Sequence, residues 1–464
     1  MKRINSVGKW VAPMLVLLIS IIIFFYTSTI TYKNIGTNEL FATVDAITRG
    51  YKIKQIIASV VLFIAGYLVA QGTFDKQTDA MKAAWAVPIA VVGWCMCSAV
   101  ILLLRLPYIR SFAFGLVGAL LGAMIYIPKE YIKKTNWDVL CRYIIWCAAL
   151  STFFSTGIIP TVMSSDSYYY VMQYGEVVAK VGSLNFDTAG ATMTWTGVSS
   201  ALISSLAYFC GFETITVIHN LLIISMLICF YLTMKKQISN LGVRENQAIV
   251  GAGMFTVMLI VIPAFELLSF WVISNTYCMV YIFLLMIGMN LYTTDERENK
   301  ALLILLSMVI CWLTLSRAEM SVCMACIVCL ISFLPLTQRE MLTLSVPMMV
   351  VQLLYLIELN YQQAISVKNV YDSMLTPAIQ AIITATVGCV IYSFFINSKF
   401  FSWIRKKINI IVFAVLPGIC IAIYFLDKEK YVKSIESIIY NFKTQYWGYL
   451  PALILILYIM IVLN

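Results

Sequence analysis

Apolar residues run along this chain in long blocks, separated by short stretches where Lys, Arg, Asp, Asn and Gly gather. About 20 apolar residues in a helix cross ~30 Å of hydrocarbon. Sliding that length along the sequence predicts about fourteen spans, near 11–31, 55–71, 84–104, 110–127, 142–163, 215–234, 247–265, 268–292, 301–315, 319–336, 341–357, 375–396, 408–426 and 449–463. The first block is too long for a signal-peptide core, and no small-residue cleavage pattern follows it before Tyr32, so it reads as a retained helix. The expected fold is an all-α polytopic membrane protein.

Composition supports this pattern. Of 464 residues, 61% are hydrophobic and 12% charged, whereas a soluble chain carries roughly 25% charged residues. Too little polar sequence remains to cover a water-facing exterior. The net charge of +10 would suggest nucleic acid in a soluble chain. Here it reads as basic loops held at an anionic leaflet, with membrane lipids as partners and no nucleic acid. The loops between 128 and 407 supply the sign, because Lys and Arg gather on the cytoplasmic side. With the amino terminus inside, Lys129, Lys133, Lys134, Arg142, Lys235, Lys236, Arg244, Arg297, Lys300, Arg339, Lys399, Arg405, Lys406 and Lys407 lie inside, and Lys180, Arg317 and Lys368 outside. The expected location is the cell membrane, multi-pass, with a cytoplasmic amino terminus.

Cysteines at 95, 97, 147, 229, 311, 389 and 420 are scattered through apolar runs and read as small core hydrophobes. Cys323, Cys326 and Cys329 form a C-x-x-C-x-x-C run, but apolar residues fill its gaps and no fourth ligand follows, so helix packing is the expectation. The single histidine, His219, reads as a hydrogen-bonded core residue.

On the expected outside lie three stretches able to hold a polar site: 164–214, 358–374 and 427–448. In the first, positions 166, 169, 173, 176 and 180 share one helical face, and Tyr170, Tyr174, Val177, Val178 and Val181 share another. The spacing predicts an amphipathic helix lying in the interface from the N-cap Asp166 to Gly182. A second helical piece around 193–210, carrying Trp195, returns the chain to the next span.

A span that delivers one Asp to the outer face, followed by interfacial helices in the first large external loop, resembles the GT-C class of integral-membrane glycosyltransferases. Ser165-Asp166-Ser167-Tyr168-Tyr169 carries the likeness, together with Leu315-Ser316-Arg317-Ala318-Glu319, which looks like the Leu-Ser-Arg-Pro-Glu segment at a helix break in many bacterial members. The resemblance covers roughly 139–400. It implies N-terminal transmembrane helices over 1–138, a GT-C-like core over 139–400 including the 164–214 loop, and C-terminal helices over 401–464. It also implies transfer of a sugar from a polyprenyl-phosphate donor to a glycan, lipid or protein acceptor of the cell envelope, on the external face. Asp166 is then the general base or a ligand of a divalent cation (Mg or Mn), Arg317 holds the leaving phosphate, and Glu319 orients it or shares the cation. Many members carry two adjacent acids in this loop; here Ser167 follows Asp166, and the next loop acids are Glu176 and Asp187.

Plainer roles stand beside these. Asp166 also satisfies an ordinary helix N-cap, and Arg317 with Glu319 an ordinary ion pair. Tyr169 suits an interfacial aromatic belt and equally a ring stacked on a sugar. Lys368, with Asn369, Tyr371 and Asp372, forms a polar external loop in which sugar or phosphate binding is the minority reading. Glu266 reads as part of a hairpin turn. Two rival functions remain open: a transporter or flippase of lipid-linked saccharides, and an envelope polysaccharide polymerase or ligase. No Walker, Rossmann or zincin motif occurs.

Overall fold

The computed structural model describes residues 2–33, 39–126, 136–159, 161, 167–184, 197–212, 215–316, 318–365, 372–400 and scattered positions between 402 and 440. The described residues form helices: α1 (Lys2–Lys33), α2 (Glu39–Thr73), α3 (Asp79–Leu103), α4 (Arg110–Tyr126), α5 (Trp137–Ser155), a π-helical turn (Ser167–Gln173) running into α6 (Tyr174–Val181), α7 (Ser199–Cys210), α8 (Thr216–Asn240), α9 (Glu245–Ile260), α10 (Pro263–Phe270), α11 (Ser274–Thr294), α12 (Lys300–Thr314), α13 (Ala318–Ile331), α14 (Gln338–Ile365) and α15 (Asp372–Phe395). Side chains place several of the starts: Thr78, Asn136 and Asn299 accept backbone N–H groups at the heads of α3, α5 and α12.

The first twelve expected spans each fall on a helix, and the last two, 408–426 and 449–463, lie outside the described residues. Among the described residues, seven helices are long and apolar enough to cross a membrane, so the count of fourteen is not reached on this measure. Length accounts for part of the difference: Arg110–Met124, Glu245–Ile260 and Lys300–Thr314 are apolar but too short, and at 1.5 Å per residue such helices fall short of ~30 Å. Boundaries also move: the helix of the span expected at 142–163 ends at Ser155, that of 319–336 ends at Ile331, and α11 within 268–292 begins at Ser274. The span expected at 247–265 stops at Ile260, and Pro263 opens α10, which puts Glu266 in the first turn of a short helix rather than in a hairpin turn. The span expected to end at 357 continues to Ile365, so part of the loop expected at 358–374 is helix.

Helix α3 is the centre of the bundle. It packs against α2, α4, α7, α8 and α12, and is apolar around its whole circumference, as a fully surrounded helix must be. Trp85 and Trp94 on α3 are buried with Trp312 of α12, and Tyr281 of α11 donates to the Pro88 carbonyl at 3.1 Å. Where α2 crosses α3, a Cβ on Gly66 would lie 1.7 Å from the Ala86 carbonyl oxygen, so only glycine permits the approach. At the periphery α1 exposes Met14, Leu18, Ile22 and Phe25, a lipid-suited face.

Contacts between loops sort into two ends. At one end Lys54 reaches the Gly211 carbonyl, Arg105 pairs with Glu358, the Val198 N–H bonds Leu315 O, and Ser199 Oγ donates to Ser316 Oγ. At the other, Trp10 donates to Asp138, Lys76, Gln77 and Lys236 gather on Asp295 and Glu296, and Arg297 pairs with Glu340. Each of these contacts joins loops that alternation of the expected spans puts on one side.

Buried Cys95, Cys97, Cys147, Cys229, Cys311 and Cys389 match the core reading, while Cys420 lies outside the described residues. The 323–329 run is a correction: Cys323 and Cys326 are exposed on α13, whose buried face is Met324, Ala325 and Val328. His219 is fully buried, as expected; its Nε2–H donates to the Ser269 carbonyl at 2.9 Å and Nδ1 faces the Tyr277 hydroxyl at 3.4 Å.

Candidate functional site

The sequence-predicted site residues fare unequally. Asp166, Arg317 and Lys368 lie outside the described residues; Glu319 stands in the first turn of α13, with its side chain outside the description; Tyr169 is exposed in the π-helical turn. The helix expected over 166–181 forms from Ser167 and ends at Gly182, whose φ of 71° terminates α6 in the left-handed region. Its faces differ in part from expectation. Val171, Tyr174 and Val178 are buried, and Val181, in the last position of α6, is exposed. The helix packs on α7. The second helical piece is the helix Ser199–Cys210, and Trp195 lies outside the described residues.

Beneath this pair of helices, three elements converge on a polar pocket of about 130 Å³. The turn after α3 supplies Leu102, Arg105 and Leu106; the turn after α6 supplies Gly182 and Ser183; the last turns of α14 supply Glu358, Tyr361 and Gln362. The Tyr108 carbonyl lies 3.3 Å from where a Gly182 Cβ would stand, so glycine seats the end of α6 on the α3–α4 turn. The turn itself is pinned by the buried Tyr108 hydroxyl, between Ser98 Oγ at 3.1 Å and Ser205 Oγ at 2.7 Å.

Arg105 holds φ at 54°, a conformation few non-glycine residues adopt. Its guanidinium donates from Nε (3.1 Å) and Nη2 (3.0 Å) to Glu358 Oε2 and stacks 3.8 Å from the centre of the Tyr361 ring. Glu358 is 4% exposed, and Gln362 Nε2 donates to its other oxygen at 2.5 Å. Burial pushes the Tyr174 phenol well up, with Tyr355 and Glu358 adding to the effect.

No family model, no curated protein and no solved structure matches this chain. Chemistry therefore rests on the residues alone.

The pocket joins a permanent cation, a buried carboxylate, a carboxamide and an aromatic ring. Among the described residues no group of three or more His, Cys, Asp and Glu side chains could hold a metal ion. Sequence reasoning missed Arg105, Glu358, Tyr361 and Gln362. A signal for the first two was present: each is a lone charge at the end of an apolar run, and alternation puts both runs' ends on one side.

Proposed function

We propose that the chain is an integral-membrane glycosyltransferase of GT-C-like architecture that transfers a sugar from a polyprenyl-phosphate donor to a cell-envelope acceptor. The observation that supports this reading is the convergence of two motif flanks on α7. Ser167, next to Asp166, belongs to the π-helical turn that packs on α7; Ser316, next to Arg317, is hydrogen-bonded by Ser199 in the first turn of α7.

The chemistry needs a base, a grip on phosphate and an acceptor site. The acceptor hydroxyl oxygen bonds to the anomeric carbon, its proton passes to Asp166, and the bond from that carbon to the phosphate oxygen breaks with its electrons leaving on the polyprenyl phosphate. Arg317 takes the phosphate charge as a planar fork, while Glu319 orients Arg317 or shares a divalent cation (Mg or Mn) with Asp166. The exposed ring of Tyr169 offers a stacking face for a sugar, and Lys368 a further donor to donor or acceptor. The site faces outward, and the amino terminus is cytoplasmic.

A transporter reading draws less support. In the membrane-length apolar segments of the seven helices (9–26, 52–73, 79–103, 137–155, 216–240, 274–294 and 338–362) every Asp, Glu, Lys and Arg lies within the first or last six residues, whereas carriers keep ionisable groups or broken helices near the bilayer midplane. Purified protein in proteoliposomes, given a polyprenyl-phosphate sugar and envelope acceptors, should release polyprenyl phosphate and glycosylate an acceptor. Movement of the donor between leaflets without release would favour the transporter.

A further inference from the structure

The pocket between the α3–α4 turn, Ser183 and the last turns of α14 has features that its own hydrogen bonds do not use up. Arg105 binds Glu358 through Nε and Nη2, so its Nη1 edge makes no hydrogen bond among the described residues, and the side chain is 53% exposed. Gln362 is 1% exposed and gives its N–H to Glu358, which turns its carbonyl oxygen away from the carboxylate; that buried oxygen has no hydrogen-bond partner among the described residues. A buried acceptor left unmade costs about 1–3 kcal/mol, and such exceptions call for a cause.

We propose that this pocket binds one uncharged sugar ring of the saccharide the protein handles. Three properties select that chemistry. The Arg105–Glu358 pair makes the pocket neutral, so a phosphate would meet the Glu358 charge and an amine the Arg105 charge. The unused groups are both donor (Arg105 Nη1) and acceptor (Gln362 Oε1), the mixture that hydroxyl groups satisfy in both directions. The volume, about 130 Å³, exceeds the ~30 Å³ share of a single water and has Tyr361, 39% exposed, at its wall as an aromatic surface. The inference rests on the transferase reading only for the lipid or glycan that carries the ring.

The test is saturation-transfer NMR on the full chain in lipid nanodiscs, with a panel of methyl hexopyranosides and, separately, inorganic phosphate. Saturation transfer to ring protons of at least one glycoside is expected. It should weaken by about tenfold in Gln362→Leu, which deletes the acceptor, and in Leu106→Trp, which fills the pocket from its rim and leaves every polar partner in place. Transfer to none of the glycosides, transfer undiminished in Leu106→Trp, or Arg105-dependent binding of phosphate alone would each overturn the proposal. Because binding is read without turnover, the two ideas separate. A pocket that binds in a protein without transfer activity leaves the pocket and removes the transferase; transfer without binding here does the reverse.

Discussion

Arg105 and Glu358, 253 positions apart in the chain, meet through two hydrogen bonds of 3.1 and 3.0 Å to a single carboxylate oxygen and so lock the α3–α4 turn to the end of α14. Arg105 is left-handed because it closes α3, its own N–H bonding Leu102 O at 3.0 Å and the Leu106 N–H bonding Ile101 O at 2.8 Å, and that turn carries its side chain to Glu358. The contact gives the buried carboxylate a charge-assisted partner and sets the guanidinium against the Tyr361 ring.

Arg105→Ala should therefore destabilise the protein by about 1.5–3 kcal/mol, the worth of hydrogen bonds to a charged group, because Glu358 would stay buried without its cation. Arg105→Lys should recover only part, since a point ammonium neither donates from two nitrogens nor stacks flat on Tyr361. Thermal unfolding in nanodiscs checks both. Equal stability of Arg105→Ala and wild type would make the pair incidental.

Gly66→Ala should cost about 1–3 kcal/mol or prevent folding, because the new methyl would strike the Ala86 carbonyl, a backbone atom that cannot swing aside. Gly115→Ala on α4, where a Cβ meets nothing within 4 Å, is the control and should leave the melting temperature unchanged or raised. Similar melting of the two variants would place the α2–α3 crossing elsewhere.

At the opposite end, burial alone would raise the Asp295 carboxyl, but Lys236, Gln77 and Thr294 outweigh it and hold the group below the ordinary carboxylate value. A depressed folded value means the unfolded chain takes up the proton first as pH falls. The stabilisation is then complete above the unfolded value of about 3.9 and lost as pH drops through the folded one. Wild type should exceed Asp295→Asn in stability near neutral pH, with the gap closing in acid. A gap independent of pH would remove the charge from the argument.

Much of the architecture was legible because membrane helices need long apolar runs, and alternation of those runs then decides which loops meet. The chain from α1 to α15 follows that logic, and so do the termination of α6 at Gly182 and the burial of His219. Hydropathy failed where it stood in for backbone geometry. Glu358 ended an apolar run and was read as the start of a loop, yet helical hydrogen bonding continues through a charge whose partner is near. The π-helical turn at 167–173 also escaped, because a 3.6-residue period assumes one register throughout and Val171 rather than Tyr170 turns inward there. The pocket itself was invisible for a different reason: its polar residues come from three segments, around 105, 183 and 358–362, and no segment forms a motif alone.

Topology has a direct check. A reporter inserted near Gly182 should lie outside and one fused after Lys407 in the cytoplasm, since the intervening loops carry their Lys and Arg mainly on one expected side. Both on one side would undo the span alternation, and both reversed would move the site to the cytoplasm.

The transferase reading turns on one carboxylate, and Asp166→Asn tests it while preserving size and a capping oxygen. If Asp166 deprotonates the acceptor or holds a cation, the variant should insert and melt like wild type in reconstituted membranes yet transfer sugar from a polyprenyl-phosphate donor about 10²–10⁴-fold more slowly. Transfer at the wild-type rate by Asp166→Asn would leave Asp166 a helix cap and contradict the assignment of this chain as a GT-C-like glycosyltransferase using that acid.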